Sequence, residues 1–296
     1  MRSATSAAKC IGAFVLMCAT ALAVRPVAAQ TNQRDCMGGD GKVEREINGY
    51  KIQVDPLPGK RSGPTECRGR ILDPRGKAIY TVQDRGVNIV PVSGDNIGGD
   101  GTPDLVFEGY SGGAHCCWTY WIYELGEPPK LLRKIAGNKG LGFVDLNGDG
   151  HVEIVAQDGA FDYFDSLPHY QSPAPEVILR LNGNKLERVD AEFWPRYEKR
   201  IASARAALIP ECAALYKSLD LGFKKDKRCD INNVRLQILN IVLNYLYGGH
   251  EKEAWEELAN LWPEKDLQRM HDLIWKTATN SFLGDPSSPN YGASHE

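Results

Sequence analysis

Twice along this chain a glycine-rich acidic turn runs straight into an apolar strand, and no other feature limits the possible fold as tightly. The fuller copy is Phe143-Val144-Asp145-Leu146-Asn147-Gly148-Asp149-Gly150-His151-Val152-Glu153-Ile154-Val155. The sparser copy is Asn96-Ile97-Gly98-Gly99-Asp100-Gly101-Thr102-Pro103-Asp104-Leu105-Val106-Phe107. Glycines let the backbone fold back through positive φ without a Cβ clash, and a tight turn brings alternating side chains to one side. Each turn is therefore expected to join two strands and to gather oxygen atoms at one point.

With Asp145 as position one of the second turn, Asn147 stands at three, Asp149 at five, the His151 carbonyl at seven and Glu153 at nine. Carboxylates, an amide oxygen and a carbonyl are hard donors. They suit Ca²⁺ at ~2.3–2.6 Å, whereas Mg²⁺ demands a stricter octahedron. Carboxylates gathered this closely repel one another unless a cation intervenes. The competing reading is an acidic surface turn without an ion. An EF-hand does not fit, because position twelve is Ala156 instead of a bidentate glutamate, and Gly137, Gly140 and Gly142 interrupt any entering helix. In the first turn Asn96 falls at one, Gly98 at three, Asp100 at five, the Thr102 carbonyl at seven and Asp104 at nine. One ligand is missing there and another is uncharged, so the second turn is expected to carry most of any calcium response. A third echo, Gly39-Asp40-Gly41-Lys42-Val43-Glu44, lacks a following apolar strand and reads as a simple turn.

Two periodicities divide the chain. From about Gly49 to Val189, short runs rich in branched and aromatic residues alternate with Gly, Pro, Asn and Asp: Tyr50–Val54, Lys77–Val82, Val87–Val92, Leu105–Phe107, Trp118–Tyr123, Ile154–Val155, Val177–Leu181 and Leu186–Val189. That pattern predicts an antiparallel β domain, with too little helical period for βαβ units. After Trp194-Pro195 the apolar residues recur every three or four positions, in Tyr197–Ser218, Val234–Leu246, Glu251–Leu261 and Leu267–Phe282. Four antiparallel helices are expected, with Asp230 capping the second and Gly248-Gly249 ending it. The fold class is thus α+β: a β domain over 30–193, a helical domain over 194–284 and a flexible tail over 285–296.

Residues 1–29 read as a signal peptide. Arg2 and Lys9 precede the apolar run Ile11–Val24, and Val27-Ala28-Ala29 places small residues where a signal peptidase cuts, before Gln30. The apolar run is shorter than the ~20 residues a membrane span needs, and Met17 is too large for lipoprotein processing at Cys18. The chain is expected to be exported, periplasmic or secreted, with no transmembrane segment after leader cleavage. Its formal net charge of −3 disfavours a nucleic-acid partner, since no overall positive field draws phosphates. The basic stretch Arg196–Arg200 reads as a solvated face.

Outside the leader stand Cys36, Cys67, Cys116, Cys117, Cys212 and Cys229, an even set that suggests disulfides in an exported chain. Spacing favours Cys212 with Cys229, and Cys36 with Cys67 would staple the N-terminal segment. Cys116 and Cys117 are adjacent, so they either bond to each other in a strained turn or reach separately to Cys36 and Cys67.

The stretch Asp145–Val155 resembles the calcium-loop signature of FG-GAP/VCBS-type repeats, the blades of integrin-like β-propellers. The resemblance implies that the loop joins the first two strands of a blade and that an ion stabilises the turn. By residue, it implies side-chain ligation by Asp145, Asn147, Asp149 and Glu153 and carbonyl ligation by His151. In the first turn it carries over clearly to Asp100 and Asp104, and less clearly to Asn96 and Gly98. The β segment is too short for the usual seven blades, so blade-like units short of a complete propeller are expected. Tyr110-Ser111-Gly112-Gly113-Ala114-His115-Cys116-Cys117 also resembles uncharacterised exported bacterial proteins that combine such a loop with this segment.

The expected function is an exported calcium-binding structural or interaction module, with the helical domain docking another envelope protein. The competing expectation is a periplasmic hydrolase acting on an envelope polymer. Its chemistry would sit around Ser111, His115, Cys116 and Cys117, or at the carboxylates Asp162, Asp165 and Glu176. The aromatic run Trp118–Tyr123 alternates between two sheet faces and reads as core before it reads as a stacking platform.

Overall fold

Strand signals resolve into three four-stranded meanders in the computed structural model, which describes residues 36, 42–57, 66–112, 117–137, 139–219 and 227–281. The first sheet is β1 (Val43–Ile47), β2 (Tyr50–Pro56), β3 (Cys67–Leu72) and β4 (Ala78–Asp84), hydrogen-bonded in that order. The second is β5 (Gly86–Ile89), β6 (Asp104–Tyr110), β7 (Trp118–Glu124) and β8 (Lys130–Gly137). The third is β9 (Gly142–Val144), β10 (Glu153–Gln157), β11 (Glu176–Asn182) and β12 (Lys185–Arg188). Every neighbouring pair is antiparallel, and the sheets do not close into a barrel. β1 and β2 meet through Asn48-Gly49, both at positive φ, as a tight hairpin requires. The stretches read as a leader and a flexible tail, residues 1–29 and 285–296, lie outside the described residues, as do the Gly39-Asp40-Gly41 echo and residues 113–116.

Strand alternation distributes side chains between two cores. Leu105, Phe107 and Tyr123 face a core shared with Ile52, Val54, Ile71 and Val82 of the first sheet. Val106, Tyr120 and Ile122 face a larger core shared with Ile154, Val177 and Leu179 of the third sheet and with the helices. Both faces of the second sheet are therefore buried, which is why its aromatic run is packed and not displayed. Core burial continues from the strands into the helices, and residues 34–296 group as one compact unit.

Five α-helices follow among the described residues: α1 (Trp194–Ala207), α2 (Pro210–Ser218), α3 (Ile231–Tyr247), α4 (Glu251–Leu261) and α5 (Leu267–Thr279). The single helix expected over Tyr197–Ser218 is in fact two. Pro210 pushes Ile209 into an extended conformation, φ −71° and ψ 118°, and itself opens α2. Asp230 caps α3 by accepting the Asn232 N–H at 3.0 Å. No helix among the described residues is long and apolar enough to cross a membrane.

Buried polar struts tie helices to strands. Asp158 accepts the Tyr247 hydroxyl at 2.5 Å and the Ser281 hydroxyl at 2.6 Å. Asp190 accepts from Ile178 N–H at 2.7 Å, from the Tyr197 hydroxyl at 2.5 Å and from Arg188 at 2.8 Å. Disulfides join Cys36 to Cys67 and Cys212 to Cys229. Cys117 is also disulfide-bonded. Because Cys36 and Cys67 hold each other, Cys117 does not reach to them.

Candidate metal centre

Both acidic turns join the first two strands of their sheets: the first leads from β5 into β6, the second from β9 into β10. Their backbones agree position by position. At position four, Gly99 and Gly148 have φ of 81° and 77°; at position six, Gly101 and Gly150 have φ of 91° and 89°. Only glycine adopts these values without strain. Two hydrogen bonds recur as well. The position-five carboxylate accepts the position-seven amide, from Thr102 to Asp100 and from His151 to Asp149, each at 2.8 Å. These bonds are the main reason that both acids sit below the ordinary carboxylate range. The position-nine carboxylate accepts the position-two amide, from Ile97 to Asp104 at 2.6 Å and from Leu146 to Glu153 at 3.0 Å.

The remaining oxygen of position nine separates the two turns. In the second turn, the other Glu153 oxygen receives Nε and Nη2 of Arg180 at 3.1 and 2.7 Å. Glu153 is fully buried, and its charge is spent on β11. Asp145, Asn147 and Asp149 are exposed and bonded within the turn. Asp145 accepts the amides of Gly148 and Gly150 at 2.7 and 2.9 Å, and Asn147 donates to Asp149 at 2.8 Å. Asp145 Oδ1 accepts two amides, but Asp145 Oδ2 and both Asp149 oxygens accept one bond each and keep a second lone pair, so a cation remains compatible with Asp145, Asn147, Asp149 and the His151 carbonyl. Glu153 has a structural partner instead.

In the first turn, Asp104 is fully buried. Its Oδ2 accepts the amides of Ile97 and Gly98 at 2.6 and 2.7 Å, while its Oδ1 is buried with no hydrogen-bond partner. Asn96 Oδ1, at position one, is likewise buried without a partner. Burial raises the Asp104 carboxyl to about 6, helped by the charges of Asp100 and Glu124. Glu124, at the end of β7, is the register partner of Asp104, lies within hydrogen-bonding reach of Asp100 and pairs with Lys130 at 2.9 Å. Sequence reasoning missed Glu124, which sits 20 residues beyond the turn; only the β6–β7 register brings it back. Position three lacks a ligand for a packing reason. A Cβ on Gly98 would come within 3.0 Å of Leu132, and the Gly98 carbonyl accepts the Gly183 amide at 2.8 Å.

Among the described residues, no three His, Cys, Asp or Glu side chains converge as a ready-made metal cluster. The donors that the first turn offers are mixed: the Asn96 amide oxygen, the Asp100 and Asp104 carboxylates and the Thr102 carbonyl. Two unpartnered buried acceptors in the first turn fit a hard cation, because leaving them bare costs roughly 1–3 kcal/mol each.

The alternative catalytic residues are otherwise engaged. Asp165 receives Arg235 at 2.5 Å and Arg269 at 2.8 Å. Asp162 lies 3.3 Å from Lys139 and 3.5 Å from His169. Glu176 is held by Arg196 and Arg200. His271 packs against Trp255 with ring centroids 4.3 Å apart. His115 and Cys116 lie outside the described residues, and the Ser111 hydroxyl is 3.4 Å from the Cys117 carbonyl.

No known family model and no solved structure matches the chain. An uncharacterised protein of Sinorhizobium fredii, y4bJ, is 30% identical over an alignment 124 positions long that covers 37% of this chain. The match covers 18% of that longer protein, so the likeness is partial.

Proposed function

We propose that this chain is an exported, calcium-binding structural or interaction module of the FG-GAP/VCBS type, acting outside the cytoplasm through contacts with another envelope protein. The observation that carries the reading is the pair of unpartnered buried oxygens, Asp104 Oδ1 and Asn96 Oδ1, in a turn whose backbone is repeated at Asp145–Glu153. In this reading Asn96, Asp100, the Thr102 carbonyl and Asp104 hold the more important ion. Asp145, Asn147, Asp149 and the His151 carbonyl hold a more exposed one. A cation at the first turn would tie β5 to β6 while supplying the charge that Asp104, Asp100 and Glu124 lack. The leader composition and the disulfides support export. No observation favours the hydrolase reading over this one.

Calorimetry of the chain without residues 1–29 tests the proposal, run in excess calcium and after chelation. A cation bound only by the folded state raises the melting temperature by mass action. Asp104→Asn keeps an oxygen for the Ile97 and Gly98 amides and removes the charge, so it should abolish most of that rise. An identical melting temperature with calcium and with chelator would rule the calcium reading out.

A further inference from the structure

A cleft of about 510 Å³ opens between α1 and α3. It falls within the ~300–1,000 Å³ usual for ligand sites. One wall carries Arg196, Lys199 and Arg200, and the other Gln237, Asn240 and Asn244. We propose that this cleft binds an extended, carboxylate-rich peptide segment of a partner protein. The proposal gives the interaction-module reading a specific surface, and its chemistry does not depend on calcium.

The charge of the cleft is opposite to that of the chain, whose formal net charge is −3. Three cations line one wall, and one carboxylate, Glu176, lies against them. That carboxylate orients the cations as well as offsetting them. Glu176 is buried and receives Arg196 through Nε and through Nη2, the latter at 2.9 Å; Arg200 Nη1 approaches it at 3.4 Å. Arg200 Nε also donates to Asn244 Oδ1 at 3.1 Å, and Asn244 Nδ2 donates to the Asn240 carbonyl at 2.6 Å. Asn244 is 4% exposed, a buried amide in the wall of an open cleft. Guanidinium groups fixed in this way lose little freedom when a carboxylate arrives. Lys199 is exposed on the same wall and adds a mobile point charge.

The facing amides select what carries the carboxylates. An amide side chain offers both donors and an acceptor, which matches a peptide bond. Gln237 and Asn240 stand partly exposed on this wall and can reach a peptide in the cleft, while Asn244 is buried and already engaged. No residue lining the cleft is aromatic, so the stacking surface that sugar rings use is missing.

Fluorescence anisotropy tests this with the full chain and a fluorescein-labelled peptide of alternating Ala and Glu. Saturable binding is expected, and a matching Ala/Lys peptide should not bind. Lys199→Glu should weaken the complex roughly tenfold and Asn240→Ala a few-fold, while Lys252→Glu on exposed α4 should leave it unchanged. Binding should persist after chelation, which separates failure of this proposal from failure of the calcium reading. Equal weakening by Lys252→Glu would reduce the effect to general charge attraction and overturn the proposal, as would absence of saturable binding. Tighter capture of inorganic pyrophosphate than of the Glu peptide would reassign the cleft to phosphate and overturn it too.

Discussion

The two acidic turns share a backbone and differ in what their last ligand position does. Both place glycine at positive φ at positions four and six, and both bond position nine back to the position-two amide. Glu153 then extends one methylene further and meets Arg180, so the second turn neutralises its buried acid with protein. Asp104 is shorter, has no such partner and leaves one oxygen bare. The turn with the richer sequence is therefore the one that is better satisfied without an ion. Counting acidic residues in a motif measures available charge; burial and partners measure how much a cation would gain.

The largest expected effect tests that contrast directly. If calcium completes the first turn, a hundredfold excess over Kd stabilises the fold by about 2.7 kcal/mol. That corresponds to a rise on the order of 5–10 °C for a chain of this size. Asp104→Asn should remove most of the rise and, at neutral pH, lift the calcium-free melting temperature, because it removes a buried charge. The pH dependence should follow. Burial raises Asp104 from 3.8 to about 6 without calcium, so the fold holds a proton there that the unfolded chain has released. That contribution is full below 3.8 and is lost as pH rises through about 6, so calcium-free stability should fall across this window. Calcium needs the ionised carboxylate, so its apparent affinity should strengthen across the same window. Titrations at pH 5 and pH 7 that give equal affinities would contradict the assignment of Asp104 as a ligand.

Glu153→Ala should behave in the opposite way. Removing it strands Arg180, which keeps Glu192 at 3.1 Å and some access to water. The cost should be about 2 kcal/mol, below the ~3–5 kcal/mol of a fully buried pair. It should be the same with calcium and with chelator. Urea denaturation in both conditions measures this, and a loss seen only with calcium would return Glu153 to the ligand set.

Much of this architecture could be read from sequence because it rests on local rules. Alternation located most strands, Asp230 and Gly248-Gly249 marked the ends of α3, and the turn glycines predicted positive φ where it occurs. β1, β3 and β8 escaped notice because polar residues interrupt their apolar pattern; in β3, Arg68 and Arg70 pair across the sheet with Asp55. Pro210 was visible, yet the Ala- and Leu-rich period around it hid the break between α1 and α2. The site was less legible than the fold. Glu124, Arg180 and Gly183 decide how the turns are satisfied, and each arrives through strand register or hairpin contact. The cleft between α1 and α3 was hidden for the same reason: Arg196–Arg200 resembles any solvated basic face until α3 is packed beside it.

The equivalence of the two backbones can be tested with smaller changes. Gly101→Ala and Gly150→Ala each force a Cβ into the left-handed region, and no neighbouring atom lies within 4 Å of either added Cβ. Strain alone should then cost about 1–2 kcal/mol at each site. Thermal melts of the calcium-free variants should agree closely with each other. A large inequality would mean that the turns only look alike.

Asp149→Ala carries the smallest expected effect, and it bears on the ranking most directly. Asp149 is exposed, accepts the His151 amide and receives the Asn147 side chain, and water can replace both bonds. Its removal should leave the calcium-free protein almost unaltered. It should also take away only the minor part of the calcium response, because the second turn has Arg180 to neutralise its one buried acid. Isothermal titration should accordingly show two classes of site in the wild type, with the weaker class missing in Asp149→Ala and the tighter class missing in Asp104→Asn. Loss of the tighter class in Asp149→Ala would invert the ranking, and acidic content of the motif would then outweigh the bare oxygens of Asp104 and Asn96.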